Sequence, residues 1–324
     1  MSASGQVGAG PRVGIVGAGR TRQGLGPFLA HWFERGGAQV HGVSGRDAGR
    51  ARAAAAALAM KLGHDVRAYP DAGALARSVD LLVVACPVEG HLAGLDAALA
   101  AGVPCLCEKP LTSWRDAEAG LERVAAFRRR GLLLAENCQW PFALPALDAL
   151  HPDALASDIC SLEMRLSPAQ PGRAMVEDSL SHVLSLLQAL VPLPPEARVR
   201  DVTRQDGRDD AARDVARFRV VAGARSIDVA LHLEVCPEQP RPAWFAVDGV
   251  RLDRQIDDDY EISFRAADGR AAKVEDPLAA LVYGLLDDLS RDDRARTESL
   301  ADALALRLRL YAGVLGGLER RART

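Results

Sequence analysis

The first half of the chain alternates short, continuously apolar runs with segments of helical composition, and this alternation restricts the fold more than any other feature. Apolar runs without polar alternation are typical of strands buried on both faces, as in a parallel sheet covered by helices. We therefore predict an α/β, doubly wound parallel sheet, whose ligands bind at the carboxyl ends of the strands. The predicted strands are residues 12–16, 38–43, 66–69, 81–86, 104–107 and 132–135, and the helices between them end near residue 34 or span 47–62, 90–101 and 114–130.

The second half of the chain has a different pattern. A helix over residues 179–190 is followed by strand-like stretches that Asp-Gly turns separate, with no helical segment between them. This pattern predicts an α+β domain with a mostly antiparallel open sheet. The strands are expected at residues 216–221, 226–235, 244–247 and 260–264, and two closing helices at 277–290 and 298–318.

The change of pattern predicts two domains. We expect residues 1–136 to form a dinucleotide-binding Rossmann domain. Residues 137–324 are expected to form a substrate-binding and oligomerisation domain, with the final helix as a candidate to pack on the first domain.

The composition excludes several classes of protein. The 324 residues are 48% hydrophobic and 26% charged with a formal net charge of −3, so the chain is globular and has no basic field for nucleic acid or anionic lipid. No apolar stretch is long enough to cross a bilayer, and the first residues do not read as a secretory signal, so we expect a cytoplasmic protein. The six cysteines form no Cys-x-x-Cys pair and the seven histidines are scattered, which predicts reduced thiols and no metal site.

A glycine-rich turn follows the first predicted strand and leads into the first helix. Its first glycine permits a tight turn, and its second lets the backbone approach a pyrophosphate at the helix N-terminus. Arg22 stands where the third glycine of a Gly-x-Gly-x-x-Gly pattern is expected, so Gly24 or Gly26 has to take that part in a loop about two to four residues longer. The alternative is a glycine-rich turn without a ligand. The residues that we expect to bind a dinucleotide here are Gly17, Gly19, Arg20, Thr21, Arg22 and Gly24.

The end of the second strand selects between the nicotinamide dinucleotides. NAD-binding proteins have an Asp or Glu there, which accepts hydrogen bonds from the adenosine ribose. This chain has Ser44, Gly45 and Arg46 instead, and a hydroxyl with a guanidinium binds the 2′-phosphate that a carboxylate would repel. We therefore expect NADP(H) to be preferred over NAD(H), with the arginines of the glycine loop as further phosphate ligands. The alternatives are ribose binding by Asp47 and a merely solvated Arg46.

Three residues carry the expected chemistry. Lys109 follows the fifth predicted strand, at the edge where a cofactor would bind, and lysine occurs elsewhere only at positions 61 and 273. A lysine can release a proton at workable pH, whereas an arginine cannot. Asp178 and His182 are four residues apart, and so lie on one face of a helix that we expect Asp178 to open. A carboxylate beside an imidazole raises its basicity and fixes its orientation, which suits the pair for moving a proton to or from a hydroxyl.

Taken in order, these elements resemble the glucose-fructose oxidoreductase / inositol dehydrogenase / MocA (Gfo/Idh/MocA) family. The resemblance implies a two-domain NAD(P)-dependent oxidoreductase acting on a sugar, a cyclitol or a related metabolite. Two features depart from the family pattern: the lengthened glycine loop, and residues 136–141, where related chains often have an Arg and an aromatic residue. The second departure leaves the substrate class open. The resemblance covers about residues 12–190 and is carried by the Gly-x-Gly turn, Ala85-Cys86-Pro87 with His91, Glu108-Lys109-Pro110 and Asp178-x-x-x-His182.

The resemblance also implies roles for single residues. His182 would be the general acid or base at the oxygen of the reacting carbon, and Asp178 would orient it. Lys109 would donate to the same oxygen and stabilise its alkoxide character. Trp140 is a candidate substrate contact, or alternatively a packing residue. The further cofactor contacts that the resemblance implies are Cys86, Pro87, His91, Glu108 and Asn137.

Alternatives to this interpretation remain open. In one alternative, His182 is a core histidine whose hydrogen-bonding need is satisfied by Asp178. In another, Lys109 only forms a surface ion pair with Glu108. The same residues fit an imine or ketone reductase of a biosynthetic pathway, and the fold alone fits a non-catalytic dinucleotide-binding regulator, which needs no proton relay. The expected partners are a small-molecule substrate and further copies of the chain, with no nucleic acid and no membrane. We expect a homodimer or homotetramer through the C-terminal sheet, because alternating strands such as 226–235 leave one sheet face in need of cover, only two helices follow, and an exposed apolar face is normally buried against a copy of itself.

Overall fold

Two sheets organise the chain in the computed structural model, which describes residues 10–19, 25–156, 158–206, 208 and 210–322. Each sheet belongs to one of two units. The first unit runs to Glu108 and takes in Glu122–Asn137 and Val282–Ala301. The second consists of Lys109–Leu121, Cys138–Leu281 and the residues from Asp302 onwards. The domain boundary at residue 136 stays a prediction.

The sheet of the first unit has six strands, all parallel, in the order β3-β2-β1-β4-β5-β6. The order reverses beside β1, and it is this reversal that opens a ligand crevice at the carboxyl ends of a doubly wound sheet. Its central strand is apolar without alternation, since Leu81 to Val84 are all buried. The predicted doubly wound parallel sheet is therefore confirmed. The strands are β1 (Arg12–Val16), β2 (Gln39–Ser44), β3 (Arg67–Tyr69), β4 (Leu81–Val84), β5 (Cys105–Cys107) and β6 (Leu134–Glu136).

Five helices connect these strands or flank them. One of them, of five residues, was not predicted; the side chain of Asp71 caps it by accepting a hydrogen bond from the Ala74 amide at 2.7 Å. The helix after the glycine turn has a proline in its first turn, where the missing N–H costs nothing. These helices are α1 (Gly26–Arg35), α2 (Ala48–Leu62), α3 (Ala72–Ala76), α4 (His91–Ala101) and α5 (Ala117–Arg130).

The sheet of the second unit has eight strands in the order β14-β13-β12-β11-β7-β10-β9-β8. Its pairs are antiparallel except for β7 with β10, so the predicted mostly antiparallel sheet is confirmed. Tyr260 was expected to begin a strand, but its φ of +62° puts it in a turn. The strands are β7 (Ser161–Leu166), β8 (Arg198–Arg204), β9 (Arg213–Ala222), β10 (Arg225–Glu234), β11 (Trp244–Val247), β12 (Val250–Ile256), β13 (Ile262–Ala266) and β14 (Ala271–Val274).

The helices of the second half include one that begins earlier than predicted. It starts at Arg173 directly after Gly172, whose φ is +67°, because buried Met175 and Val176 extend the apolar stripe towards the N-terminus. Asp178 therefore lies within this helix, and the expectation that it opens the helix was wrong. The helices are α6 (Leu144–Leu150), α7 (Asp153–Ala156), α8 (Arg173–Leu190), α9 (Pro277–Arg291) and α10 (Arg294–Ala322). No helix in the described ranges is long and apolar enough to cross a membrane.

The two faces of the eight-stranded sheet differ in polarity. Along β7 and β10 every second side chain is buried, Leu162 and Leu231 among them. The alternate side chains are polar apart from Ala230: His232 bonds Glu163 at 2.9 Å, and Arg165 pairs with Glu234 at 2.5 Å. An uncovered apolar face was the reason for expecting an oligomer through this sheet, and that reason was wrong. The oligomer itself stays a prediction.

Both edges of this sheet are irregular or charged. The pairing of β8 with β9 shifts register between Arg200 and Thr203, and Asp201 between them has a φ of +52°. At the other edge, β14 is four residues long, and its Lys273 pairs with Glu261.

Candidate active site

The glycine turn of the first unit is held between three strand ends. Gly17 has a φ of +86°, and its amide donates to the carbonyl of Ser44 at 2.9 Å. A Cβ on Gly17 would lie 2.6 Å from the backbone nitrogen of Cys86, so both conformation and space require glycine there. The turn therefore fixes the end of β1 against the last residue of β2 and the segment that follows β4.

The two glycines further along the turn have opposite surroundings. A Cβ on Gly19 would meet no described atom within 4 Å, which leaves its backbone open to a ligand. A Cβ on Gly26 would lie 2.7 Å from the Cα of Ala18, so Gly26 is the residue that lets α1 pack against the turn. Arg20, Thr21, Arg22 and Gly24 lie outside the described residues. An open backbone at Gly19 before a helix N-terminus fits a dinucleotide pyrophosphate.

Arg46 follows the end of β2, and its side chain has no hydrogen-bond or ion-pair partner among the described residues. Asp47 is engaged, because its carboxylate accepts from the Arg50 amide at 2.8 Å and caps α2. Arg46 is exposed. Ser44 is only 2% exposed, and its Oγ has no hydrogen-bond partner among the described residues. Of the alternatives at this strand end, ribose binding by Asp47 would require the cap to open.

The segment after β4 is closed by a histidine. His91 is 1% exposed, and its Nε2 lies 2.8 Å from the Cys86 carbonyl, so this side chain holds the turn that precedes α4. Burial raises the pKa of the half-buried Cys86 thiol, which keeps it neutral. Pro87 is exposed. Their expected part in lining a cofactor path stays a prediction, and for His91 the burial favours a positioning part.

Glu108 and Asn137 come together at the ends of β5 and β6. The Asn137 side-chain amide donates to Glu108 Oε1 at 2.6 Å, and its backbone amide donates to the Cys107 carbonyl at 2.8 Å. The alternative in which Glu108 pairs with Lys109 is therefore not what the structure has.

Lys109 belongs to the second unit, where it pairs with Asp178. Its Nζ donates to Oδ1 of Asp178 at 2.6 Å and to the backbone carbonyl of the same residue at 2.9 Å. The Lys109 side chain is 16% exposed and that of Asp178 is 53% exposed, so the pair lies at the margin of the interior. An ammonium has three N–H groups. The third finds no acceptor among the described residues, and it remains to bind another oxygen.

Two expectations concerned Asp178 and His182, and the second of them was wrong. Asp178 was expected to orient the imidazole; its carboxylate binds Lys109, since a full positive charge attracts it more strongly than a neutral ring does, and its orienting part stays a prediction. The imidazole was expected to be more basic than usual. Burial first, and the Lys109 charge second, lower the pKa of His182 to about 3, although Asp178 acts in the opposite direction.

His182 is consequently a neutral ring at physiological pH. Its Nδ1 is buried and has no hydrogen-bond partner in the described part of the chain, so the alternative of a core histidine satisfied by Asp178 does not hold. The carboxyl of Asp178 stays ionised: burial acts to raise its pKa, but the adjacent Lys109 ammonium outweighs burial and the pKa falls below its ordinary value.

Trp140 packs in the core of the second unit. It is 7% exposed, and its ring meets Phe245 and Phe264 edge-on, with centroids 6.3 Å and 6.2 Å away. The packing alternative for Trp140 therefore accounts for most of the surface of its side chain. Its ring also lies 5.5 Å from the guanidinium carbon of Arg254.

Two arginines near this group were missed by the sequence reasoning. The charge of Arg254 contributes to the low pKa of His182, and that of Arg241 to the low pKa of Asp178. Arg254 Nη2 donates to the backbone carbonyl of Arg241 at 3.0 Å. No motif surrounds either residue, so only their position in the folded chain singles them out. In the same described ranges no group of three or more His, Cys, Asp or Glu side chains is arranged to hold a metal ion.

Comparison with known proteins gives a family for the first part of the chain. Residues 11–137 match the Gfo/Idh/MocA model, described as an oxidoreductase family with an NAD-binding Rossmann fold. UDP-N-acetylglucosamine 3-dehydrogenase from Acidithiobacillus ferrooxidans is 30% identical over 187 residues, 57% of this chain and 55% of that protein. The chain thus aligns with little more than half the length of this relative. D-apiose dehydrogenase from Paraburkholderia graminis is 28% identical over 274 residues, 78% of this chain and 70% of that one.

Solved structures share the fold over nearly the whole chain. A 3-ketoreductase from Actinomadura kijaniata, determined in complex with TDP-benzene and NADP, has a TM-score of 0.68 at 18% identity and covers 95% of this chain and 98% of its own. At that identity the likeness concerns the fold alone. The matched N-terminal region, the strand order and the similar relatives agree that residues 11–137 are similar to the Gfo/Idh/MocA oxidoreductase family.

Proposed function

We propose that the protein is an NADP(H)-dependent oxidoreductase that interconverts a hydroxyl and a carbonyl on a small polar metabolite of the sugar or cyclitol type. One observation carries the proposal: the Lys109–Asp178 ion pair, at 2.6 Å, has a free N–H group and lies beside a neutral imidazole with an unpartnered nitrogen. A regulator that only binds a dinucleotide has no use for such a group. The names of the similar relatives, which are sugar and nucleotide-sugar dehydrogenases, support the substrate type.

The cofactor would be held by the first unit. The open backbone at Gly19 and the N-terminus of α1 would take the pyrophosphate, and Glu108 with Asn137 would contact the nicotinamide end. When bound, the nicotinamide would accept or supply the hydride. Glu108 and Lys109 are consecutive in sequence, so one peptide bond joins the last of these cofactor contacts to the first residue of the proton-handling group.

The residues of the second unit would handle the proton. In the oxidation direction the free N–H group of Lys109 binds the substrate oxygen and stabilises its growing negative charge. His182, being neutral, is in the protonation state that accepts the hydroxyl proton. A negative oxygen beside the ring raises the pKa of His182 by the same Coulomb effect through which Lys109 lowers it, so basicity develops as the reaction proceeds. Asp178 keeps the ammonium in place.

Turnover with a panel of sugars, cyclitols and nucleotide sugars, followed by NADPH absorbance in both directions, tests the proposal. We expect His182→Ala to reduce turnover by about 10²–10⁴, the usual contribution of a positioned general acid or base, while NADPH binding measured by fluorescence persists. His232→Ala is the matched control, because His232 lies in the same unit and bonds a carboxylate on the outward sheet face. Wild-type activity of His182→Ala, or no turnover with any substrate of the panel, would contradict the proposal.

The preference for NADP(H) rests on the end of β2. Arg46 is exposed there while the only adjacent carboxylate, Asp47, caps α2. We expect Arg46→Ala to weaken NADPH binding at least about ten-fold and NADH binding much less, because a charge-assisted contact to the 2′-phosphate is lost. Arg52→Ala removes an exposed charge from the same helix region and is the control. Equal wild-type affinity for both cofactors would refute the preference.

The assembly and location of the protein are further parts of the proposal. We keep the homodimer or homotetramer through the eight-stranded sheet, with the polar ion pairs of its outward face as the contact surface, and a cytoplasmic location. Sedimentation at micromolar concentration tests the assembly, and a monomer there would refute it.

A further inference from the structure

A positive charge lies on the covered face of the eight-stranded sheet. Arg254 is on β12, two residues after Leu252, and residues at that spacing point to the same face of a strand. Leu252 is fully buried, and Arg254 is paired in register with Phe264, which is 1% exposed. Side chains on such a face are ordinarily apolar, so a guanidinium there needs a reason.

Neither Arg254 nor Arg241 forms an ion pair with a carboxylate among the described residues. The Nε atoms of Arg254 and Arg241 are buried, and neither has a hydrogen-bond partner within the described ranges. Other partly buried arginines of this unit are paired, Arg204 with Asp214 and Arg173 with Glu177. A buried charge without a partner costs free energy, because it loses its hydration and gains no compensating interaction.

Stacking on Trp140 does not remove this cost. The guanidinium carbon of Arg254 lies 5.5 Å from the ring centroid, which suits a cation–π contact, but such a contact supplies no acceptor for the Nε–H, which has no partner among the described residues, whereas Nη2 bonds the Arg241 carbonyl. An oxygen atom with negative charge would both accept a hydrogen bond from the Nε–H and balance the charge of the guanidinium. A carboxylate or a phosphate suits this part, because both accept paired hydrogen bonds from arginine.

The same two arginines act on the proposed catalytic group. The charge of Arg254 helps to lower the pKa of His182, and the charge of Arg241 helps to lower the pKa of Asp178. With Lys109, three positive charges stand against the single carboxylate of Asp178, in a chain whose net charge is −3. This local excess of positive charge would attract an anion and repel a cationic substrate.

We infer that Arg254 and Arg241 form an anion-binding subsite for the substrate, and that the substrate therefore carries a carboxylate or a phosphate on the part of the molecule away from the reacting carbon. The inference rests on the proposed oxidoreductase function and names its substrate class: an anionic sugar derivative, such as a uronate or a sugar phosphate. Trp140 supports the guanidinium of Arg254 from one side. No bond is formed or broken at this subsite, which only binds and orients.

The test measures binding, not turnover. Wild-type protein saturated with NADP⁺, so that the phosphate sites of the cofactor are filled, is titrated by calorimetry with D-glucose, D-glucuronate and D-glucose 1-phosphate at constant ionic strength. We expect at least one anionic sugar to bind about ten-fold or more tightly than glucose, as for hydrogen bonds to a charged group. The tighter of the two anions distinguishes a carboxylate from a phosphate.

Three variants assign the effect to the subsite. Arg254→Gln and Arg241→Gln should each remove most of the preference for the anion. Arg251→Gln is the matched control: Arg251 is on the same strand, exposed, and paired with Asp253. Arg254→Gln is also expected to unfold at the same temperature as wild type or above it, because it removes an unbalanced charge. Should one glutamine variant fail to fold, the other still decides the question.

The outcomes separate this inference from the proposed function. Equal binding of glucose and both anions to wild type, no binding of either anion, or an equal loss in Arg251→Gln would overturn the subsite. Rapid oxidation of neutral sugars, with no oxidation of anionic ones, would contradict the anion-binding subsite but agree with the proposed oxidoreductase function. Anion binding that depends on Arg254, in a protein that turns over no substrate, would support the subsite and count against the proposed function.

Discussion

Replacing Lys109 by methionine should raise the pKa of His182. Burial is the larger cause of the low value, about 3, and the Lys109 charge is the second. Methionine keeps the length of the side chain but removes the charge, while burial of the imidazole is retained. The carboxylate of Asp178, freed from its ion pair, would then act on His182 without opposition, and this also favours the protonated ring.

The size of the change follows from the geometry. Side chains four residues apart on a helix are about 5–6 Å apart at Cβ, and the Lys109 ammonium lies against the Asp178 end of this pair, so we take about 7 Å between ammonium and imidazole. At an effective dielectric constant of about 20, two unit charges at that distance interact with roughly 2.4 kcal/mol, or about 1.7 in pKa. We therefore expect the pKa of His182 in Lys109→Met to lie clearly above the wild-type value of about 3.

Nuclear magnetic resonance of histidine-labelled protein measures this value. His182→Gln identifies the resonance, and a titration downwards from pH 8 should leave the wild-type imidazole neutral to about pH 4, whereas Lys109→Met begins to protonate above that pH. Lys109→Arg is the control, since it preserves the charge and should leave the titration as in wild type. An imidazole that titrates alike in Lys109→Met and wild type would refute the assignment of the effect to Lys109.

The same residue affects stability in acid, with a definite sign. The ordinary pKa of 6.5 lies above the folded value of about 3, so between these values the unfolded chain binds a proton at His182 that the folded chain does not. The free energy of unfolding therefore falls as the pH drops from about 6.5, by at most about 1.4 kcal/mol per pH unit from this group. Lys109→Met should show a shallower loss below pH 5 in urea unfolding.

Two further predictions concern other parts of the chain. Gly26→Ala should lower the free energy of unfolding in urea by about 1–3 kcal/mol and weaken NADPH binding, because the new Cβ would lie 2.7 Å from the Cα of Ala18. Gly284→Ala is the control: a Cβ there would have no described atom within 4 Å, so this change should be neutral or stabilising. Equal effects of the two changes would contradict the packing argument. Under native conditions a thiol reagent should modify exposed Cys160 first and leave Cys105 unmodified until unfolding, since burial raises the pKa of the Cys105 thiol; early modification of Cys105 would contradict its burial.

Much of the first sheet could be predicted because its strands are marked by apolar composition alone. β4 is an uninterrupted run of Leu and Val, and a strand buried on both faces needs no information from distant residues. The second sheet was harder to predict. β8 and β12 were not recognised because their sequences, rich in Arg and Asp, bury few side chains. β7 does alternate apolar and polar residues, so a period-two pattern was present there and was missed.

The candidate site divides in the same way. Residue types and spacing suffice to select Lys109, Asp178 and His182 as a group. They do not determine which of the three bind one another, because Lys109 reaches Asp178 across 69 positions of sequence. The direction of the His182 pKa depends on burial, and Arg241 and Arg254 stand out among many arginines only once their missing partners are seen.

The irregular edges of the eight-stranded sheet limit how copies of the protein can associate. An open sheet ends in two rows of unpaired backbone groups, onto which a strand of another molecule can add without limit, as in a fibril. The register shift and the left-handed Asp201 of β8 interrupt one row, and the short, charged β14 narrows the other. Association by strand addition is thus disfavoured at both ends, and face-to-face contact, which saturates at a finite number of copies, is left as the route to a stable oligomer.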